Sequence, residues 1–110
     1  MEAREEIHGY YLLRWFRPAQ DEPDHYAKEI SYITSRKRNW SDTTTLENAY
    51  RFDSKGDARR TVRSNSFDDL RRRGFYWEIV EVKERTVRTY TAAVVVSDAP
   101  PLVVIARAAS

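Results

Sequence analysis

The sequence contains no cysteine, which removes disulfides, thiolate metal sites and cysteine nucleophiles together and suits a reducing compartment. Glycine is scarce too, at positions 9, 56 and 74 only. Glycines so scattered cannot cradle a phosphate, so neither a Walker-type loop nor a G-x-G-x-x-G turn is present, and the G-x-S-x-G elbow of hydrolases is also missing. The two histidines, His8 and His25, have no metal-ligand spacing, and neither a metal nor a cofactor is expected. Long hydrophobic runs are absent. Ala92 to Val96 and Leu102 to Ala106 are separated by Ser97-Asp98-Ala99-Pro100-Pro101 and fall well short of the roughly 20 residues of a membrane span. No membrane contact is expected. The charged start, Met1 to Glu6, precedes no apolar stretch of signal-peptide type, so the reading is a cytoplasmic protein without a secretory signal.

What is present describes a folded globule. Of 110 residues, 41% are hydrophobic and fourteen are aromatic, enough for one core and too few for two. A single α+β domain over residues 1–110 is expected, with 1–6 and 106–110 as frayed tails. Net charge is only +2 but unevenly spread: residues 1–35 sum to −3, residues 36–73 to +5 and residues 74–110 to zero. Fifteen arginines stand against four lysines. That ratio fits recognition of carboxylates, phosphates or aromatic faces, and the codon usage of a GC-rich genome would produce it equally well.

Periodicity gives the elements. From Ile7 to Phe16, alternation puts Ile7, Gly9, Tyr11, Leu13 and Trp15 on one face and His8, Tyr10, Leu12, Arg14 and Phe16 on the other. Both faces are largely apolar, which predicts a central strand. The segment from Arg17 to Asp24, with two prolines and three acids, reads as a connection. Tyr26 to Thr34 alternates as a second strand, antiparallel to the first. Arg36-Lys37-Arg38-Asn39 is a polar stretch, after which Ser41 or Asp42 is placed to cap a short helix suggested by Leu46, Ala49 and Tyr50. The main helix is expected from about Ser54 to Ser64, with Ser54 as cap, Ala58 and Val62 inward and Arg59, Arg60 and Arg63 outward. A further turn from Ser66 to Arg73 is the alternative to an early stop, and Gly74 supplies a left-handed end. Phe75 to Lys83 and Val87 to Val96 read as two more strands joined by a hairpin, and Leu102 to Ile105 as an edge strand. The fold class is therefore α+β: a mostly antiparallel sheet of four or five strands with one main helix packed on one face.

The order of Trp40-Ser41, then Leu46-x-x-Ala49-x-x-Phe52-x-Ser54-x-x-x-Ala58, then Trp77-x-Ile79-x-x-Val82 resembles small α+β accessory proteins encoded by phages and prophages. The likeness runs from about Tyr11 to Val82 and rests on an A-x-x-F-x-S segment leading into a helix with alanine on its sheet side. Physically, Phe52 would plug the space between turn and sheet, Ser54 would cap, and Ala58 would admit a close helix approach. What the resemblance implies is a non-enzymatic protein-binding module, most concretely an inhibitor of host defence of anti-CRISPR type. Its partner would be a host protein or ribonucleoprotein, such as a CRISPR–Cas component, where guide or target nucleic acid is received. The long region through Arg73 and the added C-terminal hairpin depart from the pattern, so no binding residue is carried over from it.

Candidate binding residues come from the basic clusters alone: Arg36, Lys37 and Arg38 with Trp40; Arg59, Arg60 and Arg63; and Arg71, Arg72 and Arg73. As one stripe they would bind an acidic protein surface or, with nearby aromatics as stacking platforms, nucleic acid. The opposing reading is a set of solvated faces neutralised by Asp57, Asp68 and Asp69. An enzyme is not expected. The best enzymatic alternative is a small toxin-type ribonuclease using His25, Tyr26 and Arg36, which no spacing singles out. A Val-rich edge, Val94 to Val96 or Leu102 to Ile105, makes a homodimer conceivable.

Overall fold

The computed structural model describes residues 7–17, 22–30, 38–85 and 90–104, with side chains assigned for all of these but 7, 8, 85 and 90. Five strands form one antiparallel sheet: β1 (Ile7–Phe16), β2 (His25–Ile30), β3 (Asn39–Thr43), β4 (Tyr76–Arg85) and β5 (Tyr90–Ser97), in the spatial order β3-β2-β1-β4-β5. Two short helices, α1 (Lys55–Thr61) and α2 (Asp68–Arg72), and two 3₁₀ turns, Leu46–Asn48 and Asn65–Phe67, fill the stretch between β3 and β4. The fold is thus α+β. The expected frayed ends 1–6 and 106–110, the far half of the second strand and Arg36 and Lys37 lie outside the described residues.

β1 is central because both its faces are apolar. It pairs with β4 along its full length, from Ile7 opposite Arg85 to Phe16 opposite Tyr76. Its other edge is divided. β2 is in register only at Arg14 opposite Tyr26 and Trp15 opposite His25, and beyond that the chain from Tyr50 to Phe52 takes over. Phe52 exchanges both main-chain hydrogen bonds with Tyr11 at 2.8 Å, while the Tyr50 N–H donates to the Ala27 carbonyl. Phe52 is fully buried, so the plug expected from sequence is a wedge that keeps the splayed edges of β1 and β2 hydrogen-bonded.

The main core lies on one side of the sheet. Leu13, Trp15, Ala27 and Ile79 meet Ala58 and Val62 of the α1 segment, then Phe67, Leu70 and Phe75. Ser54 caps α1, its hydroxyl accepting from the Asp57 N–H at 3.1 Å. Ala58 has no exposed surface, which lets the helix sit close on the strands. The helical region ends in a Schellman arrangement: Gly74 adopts φ +85°, the Phe75 N–H donates to the Leu70 carbonyl and the Gly74 N–H to that of Arg71. Phe75 then packs in the same cluster as Leu70, the apolar contact that commonly accompanies this stop.

Three expectations need correction. The main helix is shorter than Ser54 to Ser64; it stops at Thr61, and after Ser64 the chain restarts through the 3₁₀ turn into α2, because Ser64 accepts from the Ser66 N–H and caps the new turn. Ser41 and Asp42 cap nothing. They belong to β3, paired with β2 from Tyr26 opposite Thr43 to Ile30 opposite Asn39, a pairing in which Trp40 stacks on Phe52 at 5.2 Å between ring centroids. Finally, residues 101–104 form a helical turn rather than an edge strand. The Val103 and Val104 N–H groups both donate to the Pro100 carbonyl, and a proline at the first helical position fixes φ in favour of the turn over the β preference of Val103 and Val104.

Candidate functional site

The other side of the sheet is covered by side chains and a loop rather than by α1 and α2, and its innermost residues are still only 3–6% exposed. Leu12, Val80 and Val82 form a second, smaller apolar cluster, shielded by Tyr10, Tyr26 and Ala49. These side chains line the floor and walls of a groove of about 400 Å³, bounded by the segment from Leu46 to Arg51 on one side and by Ala92 of β5 on the other. Leu46 at its lip is 51% exposed and Val94, farther along β5, is 49% exposed. Strand alternation produces this surface: the even-numbered residues of β1, β2 and β4 all point here, with Leu12 opposite Val80 and Tyr10 opposite Val82.

The charges at the groove are of both signs. Arg14 stands between Glu78 on β4 and Tyr26 on β2, its register partners. Its Nε donates to Glu78 Oε1 at 2.5 Å, with Asp24 3.8 Å away. Glu78 is the buried charged side chain among the described residues, 3% exposed. Burial by itself would lower the Arg14 guanidinium, but the charge and hydrogen bond of Glu78, with Tyr26 and Asp24, outweigh it and hold the group above its ordinary value. At the rim, the Arg51 guanidinium lies over the Tyr10 ring, 4.4 Å from its centroid, and 3.6 Å from Glu84. Glu47 is a second acid of the lining.

The residues singled out from sequence lie elsewhere. Arg59, Arg60 and Arg63 belong to α1 and its exit, and Arg71, Arg72 and Arg73 to α2 and its end, in the helical layer and absent from the groove lining. Half of these six are held by acids: Arg60 by Asp57, Arg71 by Asp68 at 2.7 Å, and Arg73 by Glu22 at 3.0 Å and Asp69 at 3.7 Å. Arg71 also lies over Trp15, and Arg73 over Phe75. Arg38 donates to the Tyr50 hydroxyl and sits 3.6 Å from Glu29. Trp40 is half-buried against Tyr50 and Phe52. Arg59, Arg63 and Arg72 are exposed, and no ion pair joins them to an acid among the described residues.

His25 and Tyr26 are neighbours on β2, so their side chains leave opposite faces of the sheet. His25 shares a 2.6 Å hydrogen bond with Asp42 and meets the Phe75 ring edge-on, whereas Tyr26 lines the groove. They do not converge on one reacting bond. Among the described residues no group of three or more potential metal ligands forms, and no helix is long and apolar enough to cross a membrane.

Sequence reasoning missed the groove. Its residues were visible as the second apolar face of β1 and β4, but the insertion of residues 46–51 as a wall joins positions some 35 residues apart in the chain, which no local pattern encodes. Comparison with protein-family models, with curated proteins and with solved structures finds no match for this chain.

Proposed function

We propose that the chain is a non-enzymatic binding module that receives an apolar segment of a partner protein in the groove. The observation that carries this reading is an apolar floor, Leu12, Val80 and Val82, opening between an exposed Leu46 and an Arg51–Tyr10 stack. Aromatic and arginine side chains around a desolvated apolar centre are the residue types that dominate protein interfaces. The acids Glu47 and Glu84 at the lining disfavour a polyphosphate backbone there and suit a partner with charges of both signs.

The concrete form of the proposal is a cytoplasmic inhibitor of host defence that docks on a protein or ribonucleoprotein complex such as a CRISPR–Cas component. It rests on the phage-type pattern from Leu46 to Ala58. A second reading, a nucleic-acid accessory protein, is favoured by Arg59, Arg63 and Arg72, which are exposed without an acid partner among the described residues. A photo-crosslinker at Leu46, used in cells, separates the two. Under the groove reading it joins a protein, and Arg51→Glu abolishes the adduct while the triple alanine variant of Arg59, Arg63 and Arg72 does not. Loss of binding in the triple variant alone, with nucleic acid retained by the wild type, refutes the groove reading.

A further inference from the structure

The two edges of the sheet differ in a way that identifies a second binding surface. β3, at one edge, is five residues long, contains Asp42 and is preceded by Arg38. Short, charged edges resist pairing with another strand. β5, at the other, runs for eight residues, Tyr90-Thr91-Ala92-Ala93-Val94-Val95-Val96-Ser97, with no charge, proline or glycine. Residues 91–95 are all exposed, Val94 at 49% and Val95 at 39%. The one irregularity lies toward its end: Val96 is opposite Ile79 and Val94 opposite Val80, so Val95 is bulged out while Tyr90 to Val94 stay regular. Among the described residues β5 has no neighbour on its outer side in the sheet order, which leaves a row of its main-chain donors and acceptors unpaired with any described strand.

We infer that this edge pairs with β5 of a second copy of the chain, antiparallel across a twofold axis, to give one ten-stranded sheet. A second copy is the occupant that the strand's chemistry favours. In a self-paired antiparallel ladder each residue faces the same uncharged set, so no like charges are brought together, and alanine and valine meet alanine and valine across the axis. The regular stretch from Tyr90 to Val94 spans about 17 Å. The turn that follows it carries Leu102, 80% exposed, and Val104, further apolar surface next in the chain. A ladder of this kind falls in the small-interface class, below about 1,200 Å² in total, so the dimer is concentration-dependent. The inference is independent of the groove: it uses the strand's outer edge and holds whether or not Leu46 contacts a partner.

Sedimentation equilibrium over a dilution series tests it. The wild-type chain is expected to pass from monomer to dimer as concentration rises. Val94→Lys and Val94→Glu, each alone, stay monomeric because identical charges are set side by side across the axis, and an equimolar mixture of the two recovers the dimer. Asn39→Lys, on the opposite edge, associates like wild type. Circular dichroism and thermal unfolding of each variant establish that it is folded. A wild-type chain that remains monomeric at the highest concentration overturns the inference, as does a dimer that survives both Val94 variants or is abolished by Asn39→Lys.

Discussion

The two faces of the sheet are built from the same strands and differ in what covers them. On one, Leu13, Trp15 and Ile79 are sealed under α1, α2 and Phe67. On the other, Leu12, Val80 and Val82 are buried, among the described residues, by Tyr10, Tyr26, Ala49 and the loop from Leu46. Helices here convert an apolar face into a core, whereas a loop converts one into a groove. The stability of the molecule should therefore be concentrated on one side and its recognition on the other.

The strongest way to break that contrast is to cut a large side chain from each face. Phe67→Ala, at a fully buried position, is expected to cost about 3–5 kcal/mol, while Leu46→Ala, half exposed at the groove lip, should stay within about 0.5 kcal/mol. Urea unfolding of the two variants measures both, and equal costs would erase the division. Next in size is the ion pair beneath the groove. Arg14→Ala takes the guanidinium from buried Glu78 and is expected to cost toward the lower end of about 3–5 kcal/mol, since Arg14 keeps some contact with water.

A smaller effect sharpens the helical side alone. At Gly74 a Cβ would meet nothing within 4 Å, so Gly74→Ala tests the left-handed φ without a steric clash and should cost about 1–2 kcal/mol. The smallest is electrostatic. The hydrogen bond and charge of Arg60, with the Ser54 hydroxyl, hold the exposed Asp57 carboxyl below its ordinary value. Such a group adds stability that is complete above the unfolded aspartate's pKa and is lost as pH falls through the lower folded value. Asp57→Asn should accordingly flatten the acid limb of the stability curve slightly, which unfolding measured from neutral to acid pH would reveal.

How much of this was legible in the sequence depended on the range of the cause. Local devices could be read: alternation in β1, the cap at Ser54, the small Ala58 and the left-handed Gly74 all act within a few residues. β3 was misread because Trp40 is placed by Phe52, twelve positions away, and residues 101–104 because a proline's fixed angle outweighed a valine-rich pattern. The arginine clusters drew attention by composition, yet composition does not show that Asp57, Asp68, Asp69 and Glu22 already hold Arg60, Arg71 and Arg73. The groove depends on a wall delivered by tertiary structure and had no local signal.

The longest ladder of the sheet joins β1 to β4, from Ile7 opposite Arg85 to Phe16 opposite Tyr76. The two strands at the centre of the molecule are thus neighbours in space and strangers in sequence. A nascent chain cannot zip its own middle until synthesis has passed Arg85, and loop closure over such a distance is slow. Until then β1 lacks the partner of its longest ladder, and the strand at the centre of the sheet waits on the one made almost last.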